Sequence, residues 1–301
     1  MLKIAYSSIY QHPLPERHRF PMLKYELIPK QLLYQGYITN NNLFEPTYCA
    51  EEVIMLTHEK QYWLDLKDVK LDASHIRRIG FPLTPELVQR ERCIAQGTID
   101  CALFAQKYGV SLNVAGGTHH AFANKGEGFC LLNDMAIAAN YLRQHQLASR
   151  VLIIDLDVHQ GNGTAQIFSN NNQVFTFSMH GKNNYPFFKE KSSMDVELPD
   201  GITDEPYLNS LSTHLHHIFA KFQPDFVFYL SGVDVLSTDK IGKLTLTIEA
   251  CFQRDLLVFE KCAQHQVPVA VAMGGGYSPK IADIVDAHCN TFIAAQKVFF
   301  E

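Results

Sequence analysis

No run of about 18 apolar residues occurs anywhere in the 301-residue chain, so no membrane-spanning helix is expected. Its start, Met1-Leu2-Lys3-Ile4-Ala5-Tyr6-Ser7, is not a charged segment leading into a long apolar one, and we expect no export signal. Cysteine occurs seven times, at 49, 93, 101, 130, 251, 262 and 289, but never as a CxxC pair. The odd count speaks against a complete disulfide framework; the cysteines read as small apolar packing residues, and a reducing cytoplasm fits best. An excess of positive charge is also missing: 26 Lys and Arg against 31 Asp and Glu give a net charge of -5, no footprint for a nucleic-acid backbone. No repeat, low-complexity tract or Pro/Gly/Ser-rich hinge divides the chain, so one domain over 1–301 is expected. With 47% hydrophobic and 19% charged residues it is too apolar for intrinsic disorder.

What the chain does contain is alternation. Leu112–Ala115, Val151–Ile154, Val174–Phe177, Phe226–Leu230 and Val267–Ala272 are short β-branched and aromatic runs, the pattern of strands buried on both faces. Between them lie helical patterns. Thr84-Pro85-Glu86 opens a helix to about Lys107 with a hydroxyl cap and proline in the first turn. Leu208, Leu211, Leu215, Ile218 and Phe219 share one 3.6-period stripe, as do Ile281, Ile284, Val285, His288 and Phe292. Alternating strands and helices predict an α/β fold, a mainly parallel sheet with helices on both faces, whose sites form beyond the carboxyl ends of the strands.

Chemistry-bearing residues sit at those ends. After Val151–Ile154 comes Asp155-Leu156-Asp157-Val158-His159-Gln160-Gly161-Asn162-Gly163. Side chains two apart in extended backbone share a face, so Asp157 and His159 converge on one point with Asp155 stacked behind them. One acidic residue here would read as a helix cap; three polar groups in phase read as a site. Phe226–Leu230 leads into Ser231-Gly232-Val233-Asp234, where an unpaired buried charge is costly, and Asp234 is taken as a third ligand. Two carboxylates and one imidazole with an open position suit a catalytic zinc, iron and manganese remaining open alternatives.

Gly116-Gly117-Thr118-His119-His120-Ala121 follows another strand. The paired histidines read either as proton carriers, because imidazole titrates near neutrality, or as structural hydrogen-bonders. Met273-Gly274-Gly275-Gly276-Tyr277 lacks the Lys-Ser/Thr ending of a P-loop and the GxGxxG fingerprint, so phosphate binding is the weaker reading. Tyr277 is either a donor to a developing oxyanion or a packing residue. In Gly128-Phe129-Cys130-Leu131-Leu132-Asn133-Asp134, Phe129 lines a slot or packs, and Asn133 or Asp134 caps the next helix. His214, His216 and His217 read as a mostly solvated helix face.

Taken together and in this order, these stretches resemble the zinc-dependent histone deacetylase superfamily. The segment from His12 to Met22 is similar to the first active-site loop of bacterial members, and Gln160 and Asn162 are similar to the class IV branch. The resemblance covers nearly the whole chain. It implies an arginase-like three-layer fold around an eight-stranded sheet, and removal of acyl groups from lysine or a similar amine. Asp157, His159 and Asp234 would hold zinc, Tyr277 would bond the substrate carbonyl oxygen, and His120 would act as base and then acid. His119 would assist, oriented by Asp155; Gly128, Phe129, Tyr185 and Gly275 would line the acyl tunnel. A potassium ion would sit near Asp155, Asp157, His159 and Ser178. Acylated lysine in proteins is the expected partner, acylated polyamines the alternative. Thr118 and Asn162 depart from the aromatic and aspartate of class I, and no acidic residue for gripping a peptide backbone is identified at the rim.

Overall fold

A computed structural model describes residues 1–301. Eight strands form one sheet: Lys3–Ala5 (β1), Leu43–Phe44 (β2), Val110–Asn113 (β3), Val151–Asp155 (β4), Val174–Gly181 (β5), Met194–Leu198 (β6), Phe226–Leu230 (β7) and Val269–Ala272 (β8). Their order is β2-β1-β3-β8-β7-β4-β5-β6, and every neighbouring pair is parallel. Parallel neighbours need long crossovers, supplied here mostly by helices. Every residue of β3, β4, β7 and β8 is buried; β7 and β8 are continuously apolar and β4 is so up to Asp155, while β3 also buries the polar Ser111 and Asn113. The helices Pro85–Tyr108 and Asp134–Gln144 pack on each other; Asp204–Phe222, Ile248–Gln264 and Ile281–Phe300 form a second group. One cluster of 83 buried apolar residues joins the layers, so the chain has a single core and folds as one domain.

Local signals explain the long elements. Thr84 accepts from the Leu87 N–H at 3.1 Å, Pro85 occupies the first turn, and Gly109 at φ +88° ends the helix. Five strand boundaries differ from expectation; two are extensions, β4 running on to Asp155 and β5 to Gly181, where it pairs with β6. β3 begins at Val110 and ends at Asn113, because Asn113 turns its side chain back to the Ala115 N–H at 3.2 Å. β8 begins at Val269 because Pro268 carries no donor for the ladder. Leu208 is only half-buried on its stripe. Of the three helix histidines, His216 and His217 are exposed as expected, whereas His214 is half-buried and stacks on Phe177, with Nδ1 2.7 Å from the Ser210 carbonyl.

The strand order decides where chemistry can gather. β3, β8, β7 and β4 are consecutive in space, so the four loops carrying the histidine pair, Tyr277, Asp234 and Asp157 leave adjacent strands at one edge.

Candidate active site

Asp157, His159 and Asp234 come together with their ligand atoms all within 4.8 Å of one another, and all three are buried. His159 Nδ1 lies 3.0 Å from Asp157 Oδ1 and 3.1 Å from Asp234 Oδ2. Backbone N–H groups orient the carboxylates: Val158 donates to Asp234 at 2.9 Å, and Gly275 donates to Asp157 at 2.8 Å. Gly275 is required sterically, since a Cβ there would stand 2.1 Å from Asp234 Oδ2. Burial and repulsion from Asp157 push the Asp234 pKa up. Burial acts the same way on Asp157, but His119 and His159 more than offset it and hold that carboxyl low. Burial pulls His159 down, yet its two carboxylate partners raise it to about 10. Two buried carboxylates demand a positive partner. The donor set fits a zinc ion: two carboxylate oxygens and one imidazole nitrogen, with no cysteine to close the site.

The histidine pair hangs from Asp134. Its Oδ1 accepts from the Gly117 and Thr118 N–H groups at 3.0 and 2.9 Å and from the Thr118 hydroxyl at 2.7 Å. Asn133 is the helix cap, accepting from the Ala136 N–H at 3.0 Å, which settles the choice between the two residues. The two histidines have unlike partners. His119 Nδ1 meets the Asp155 carboxylate at 2.7 Å, whereas His120 Nδ1 meets the Asn162 amide oxygen at 2.7 Å. Burial lowers His119, but Asp155 and Asp157 outweigh it and its pKa is raised. Burial, with His119 and His159 nearby, holds His120 well below the ordinary value.

An inner chamber of about 40 Å³ lies beside this group, lined in part by Thr118, His120, Phe129, Gly275 and Tyr277. It opens into a mouth of about 320 Å³ lined by Arg19, Arg78, Phe129, Tyr185, Ile241 and Tyr277 among others. Gly128 lets the wall approach, because a Cβ there would meet His120 Cδ2 at 2.6 Å. Phe129, at φ +68°, both lines the cavity and packs, its ring 5.1 Å from Phe81 and 5.3 Å from Phe20. The Tyr185 ring stands 4.9 Å from that of His120. Burial and the charges of Asp234 and Asp157 raise the Tyr277 pKa, so its hydroxyl stays protonated and can donate. Ser178 pairs in register with Asp155, and its hydroxyl lies 3.0 Å from His180 Nδ1.

Three groups at the site escaped sequence reasoning. Lys24, fully buried, donates to the Gly274 carbonyl at 2.7 Å and so holds the glycine segment from behind. Arg254, also fully buried, donates to the carbonyls of Gly232 at 2.6 Å and Ser231 at 3.3 Å, bracing the loop that carries Asp234. Glu127 accepts from the Asn162 amide at 2.7 Å. The only signal for Arg254 is a charged pair, Arg254-Asp255, interrupting an apolar helix stripe.

A histone deacetylase domain matches residues 18–292. An uncharacterised protein of Picosynechococcus sp. is 42% identical, covering 98% of this chain and 99% of that protein. Histone deacetylase 2 of Arabidopsis thaliana is 28% identical, covering 94% and 76% respectively. The acetoin utilization protein AcuC of Staphylococcus aureus is 24% identical, covering 91% and 77%. In fold, an HDAC homologue from Aquifex aeolicus superposes with a TM-score of 0.84 at 22% identity over 99% of this chain and 88% of its own. With a family domain spanning residues 18–292, the chain belongs to the histone deacetylase family.

Proposed function

We propose that the chain is a zinc-dependent amidohydrolase that removes acetyl groups from lysine side chains of proteins. The observation that carries this reading is the convergence, on one chamber, of the Asp157–His159–Asp234 triad, two histidines with opposed electrostatics, and Tyr277. A zinc ion held by the triad would polarise the amide carbonyl and acidify a water molecule. His120, neutral near pH 7, takes the proton of the attacking water as the C–O bond forms and the carbonyl opens to a tetrahedral oxyanion, and later delivers that proton to the lysine nitrogen, so the C–N bond breaks as the carbonyl of the acid product re-forms. His119, whose pKa Asp155 raises, steadies developing negative charge, and the Tyr277 hydroxyl donates to the carbonyl oxygen as it becomes an oxyanion. Gly128, Phe129 and Tyr185 wall the lysine stem, and Gly275 lines the inner end. We assign the oxygen-rich region of Asp155, Asp157, His159 and Ser178 to a potassium ion, supported by the pairing of Asp155 with Ser178 across β4 and β5.

The inner chamber supports an acetyl rather than a long acyl group, since 40 Å³ is room for only about three waters. The mouth supports peptide over polyamine: it presents Arg19 and Arg78 and no carboxylate, a poor setting for a polycation. Seven unpaired, buried cysteines favour a reducing compartment such as the cytoplasm. No helix is long and apolar enough to cross a membrane. The test is a comparison of kcat/KM on acetyl-lysine peptide, octanoyl-lysine peptide and acetylputrescine, zinc-loaded and chelated. Chelator-sensitive turnover with acetyl-lysine peptide first is expected; turnover of acetylputrescine alone would transfer the function to small amines.

A further inference from the structure

We propose that Glu127 is a positioning residue that sets the tautomer of His120 through Asn162. Its functional consequence rests on His120 being the proton carrier; the tautomer assignment does not. Glu127 is 7% exposed and Asn162 3%, so both are buried, and they stand behind His120 rather than among the residues that line the cavity. Glu127 Oε1 is 2.7 Å from Asn162 Nδ2, and Asn162 Oδ1 is 2.7 Å from His120 Nδ1.

The donor and acceptor inventory then leaves one arrangement. An ionised carboxylate only accepts, so the Asn162 group facing Glu127 is its NH₂. The amide carbonyl must therefore face His120, and because it too only accepts, His120 Nδ1 carries the hydrogen. In the neutral ring the lone pair is left on Nε2. Lys125 Nζ, 3.8 Å from the other Glu127 oxygen, balances the charge of that carboxylate. Amide nitrogen and oxygen are nearly alike in shape, so without Glu127 nothing chemical would stop Asn162 from turning over. A turned amide presents NH₂ to His120, makes Nδ1 the acceptor and places the hydrogen on Nε2, where it blocks proton abstraction.

The design differs from that of His119. A carboxylate bonded directly to a histidine fixes its tautomer but also favours the cation, as Asp155 does for His119. An amide whose own orientation is locked by a carboxylate one step further away fixes the tautomer while keeping full negative charge off the ring. Asn162 is thus a spacer, and Glu127 supplies the direction.

The experiment is long-range ¹H–¹⁵N correlation on histidine-labelled, zinc-loaded protein at pH 7.5, with His120 assigned by the signals lost in His120→Ala. Wild type is expected to show His120 protonated at Nδ1 and bare at Nε2. Glu127→Ala is expected to show mixed tautomers, with kcat on acetyl-lysine peptide falling on the order of tenfold at nearly constant KM. That loss corresponds to about nine molecules in ten holding the wrong tautomer, and is smaller than the 10²–10⁴-fold that general acid–base catalysis contributes because the remaining tenth stays competent. Glu127→Gln, whose amide oxygen can still accept, is expected to recover most of both signals. A wild-type His120 protonated at Nε2 overturns the proposal without any variant, and so does an unchanged single tautomer in Glu127→Ala. The expected tautomers with no turnover of any acylated substrate would instead overturn the enzymatic reading and leave the Glu127 assignment standing.

Discussion

Replacing Arg254 by methionine removes a guanidinium from beneath the loops that carry Asp157 and Asp234. Arg254 Nε bonds Asp255 Oδ1 at 2.9 Å, and its terminal nitrogens reach the carbonyls of Ser231 and Gly232, with that of Leu156 at 3.5 Å. Leu156 directly precedes Asp157, and Gly232 lies two residues before Asp234. Asp255 also accepts from the hydroxyls of Tyr229 and Thr291, so the substitution strands a fully buried carboxylate and several carbonyls. Breaking a buried pair on one side costs about 3–5 kcal/mol, which for a chain of this size lowers Tm by roughly 5–8 °C. Because the freed carbonyls belong to ligand-bearing loops, zinc affinity should also weaken by about 10–100-fold, the usual effect of removing an outer partner. Thermal melting in chelator reports the first quantity, and competition with a chromophoric chelator the second. Arg254→Met/Asp255→Leu removes both charges and should melt above Arg254→Met. A lowered Tm with zinc affinity within twofold of wild type would refute the bracing argument, and an unmoved Tm would refute the buried-pair argument beneath it.

Tyr277→Phe should lose about 100-fold or more in kcat while binding zinc normally, checked by single-turnover kinetics and metal content; full activity would remove the oxyanion role. Gly275→Ala should lose zinc, since its Cβ would fall 2.1 Å from Asp234 Oδ2, and metal analysis after dialysis reads this directly. Arg19→Glu with Arg78→Glu should raise kcat/KM on acetylputrescine relative to an acidic acetyl-lysine peptide by several-fold, an effect that shrinks as salt rises. His58 is buried and accepts from the Asn133 N–H at 3.0 Å, and burial lowers its pKa from 6.5 to about 4. Only the unfolded chain takes that proton between these values, so stability is intact above pH 6.5 and falls by about 3 kcal/mol as pH drops toward 4. Denaturation midpoints of wild type and His58→Gln at pH 7 and 4.5 measure this slope, which should be shallower in the variant.

How much of the molecule the sequence discloses follows from how each part is stabilised. Whereas β3, which buries Ser111 and Asn113, was placed two residues late, β4, β7 and β8 were readable because burial on both faces makes them almost continuously apolar. β6 was not, since it is an edge strand whose residues alternate between half-buried and exposed until Leu198; β1 and β2, at three and two residues, are too short to show any period. The resemblance supplied the number eight; periodicity alone supplied five. The metal triad was readable because each member lies within a few residues of a strand end, and parallel topology brings those ends together.

Glu127, Arg254 and Lys24 were not readable for a common physical reason. Each is a charge whose role depends on being buried against a segment far away in sequence: Lys24 meets Gly274 across 250 residues, Glu127 meets Asn162 across 35, and Arg254 reaches Leu156 across 98. In one dimension a lysine or arginine between apolar neighbours looks like a residue extending its charge to solvent, which is the commoner fate of such side chains. Only the fold shows that these two charges point inward and that backbone carbonyls, which have no sequence signature, are waiting for them. The site is therefore legible where its residues follow a strand end, and hidden where a buried charge meets a segment distant in sequence, whether backbone, as for Lys24 and Arg254, or side chain, as for Glu127. Asn162 stands at that boundary. Its place after His159 marks it as part of the site, while its orientation, and with it the position of the proton on His120, depends on a carboxylate that the sequence leaves unremarked.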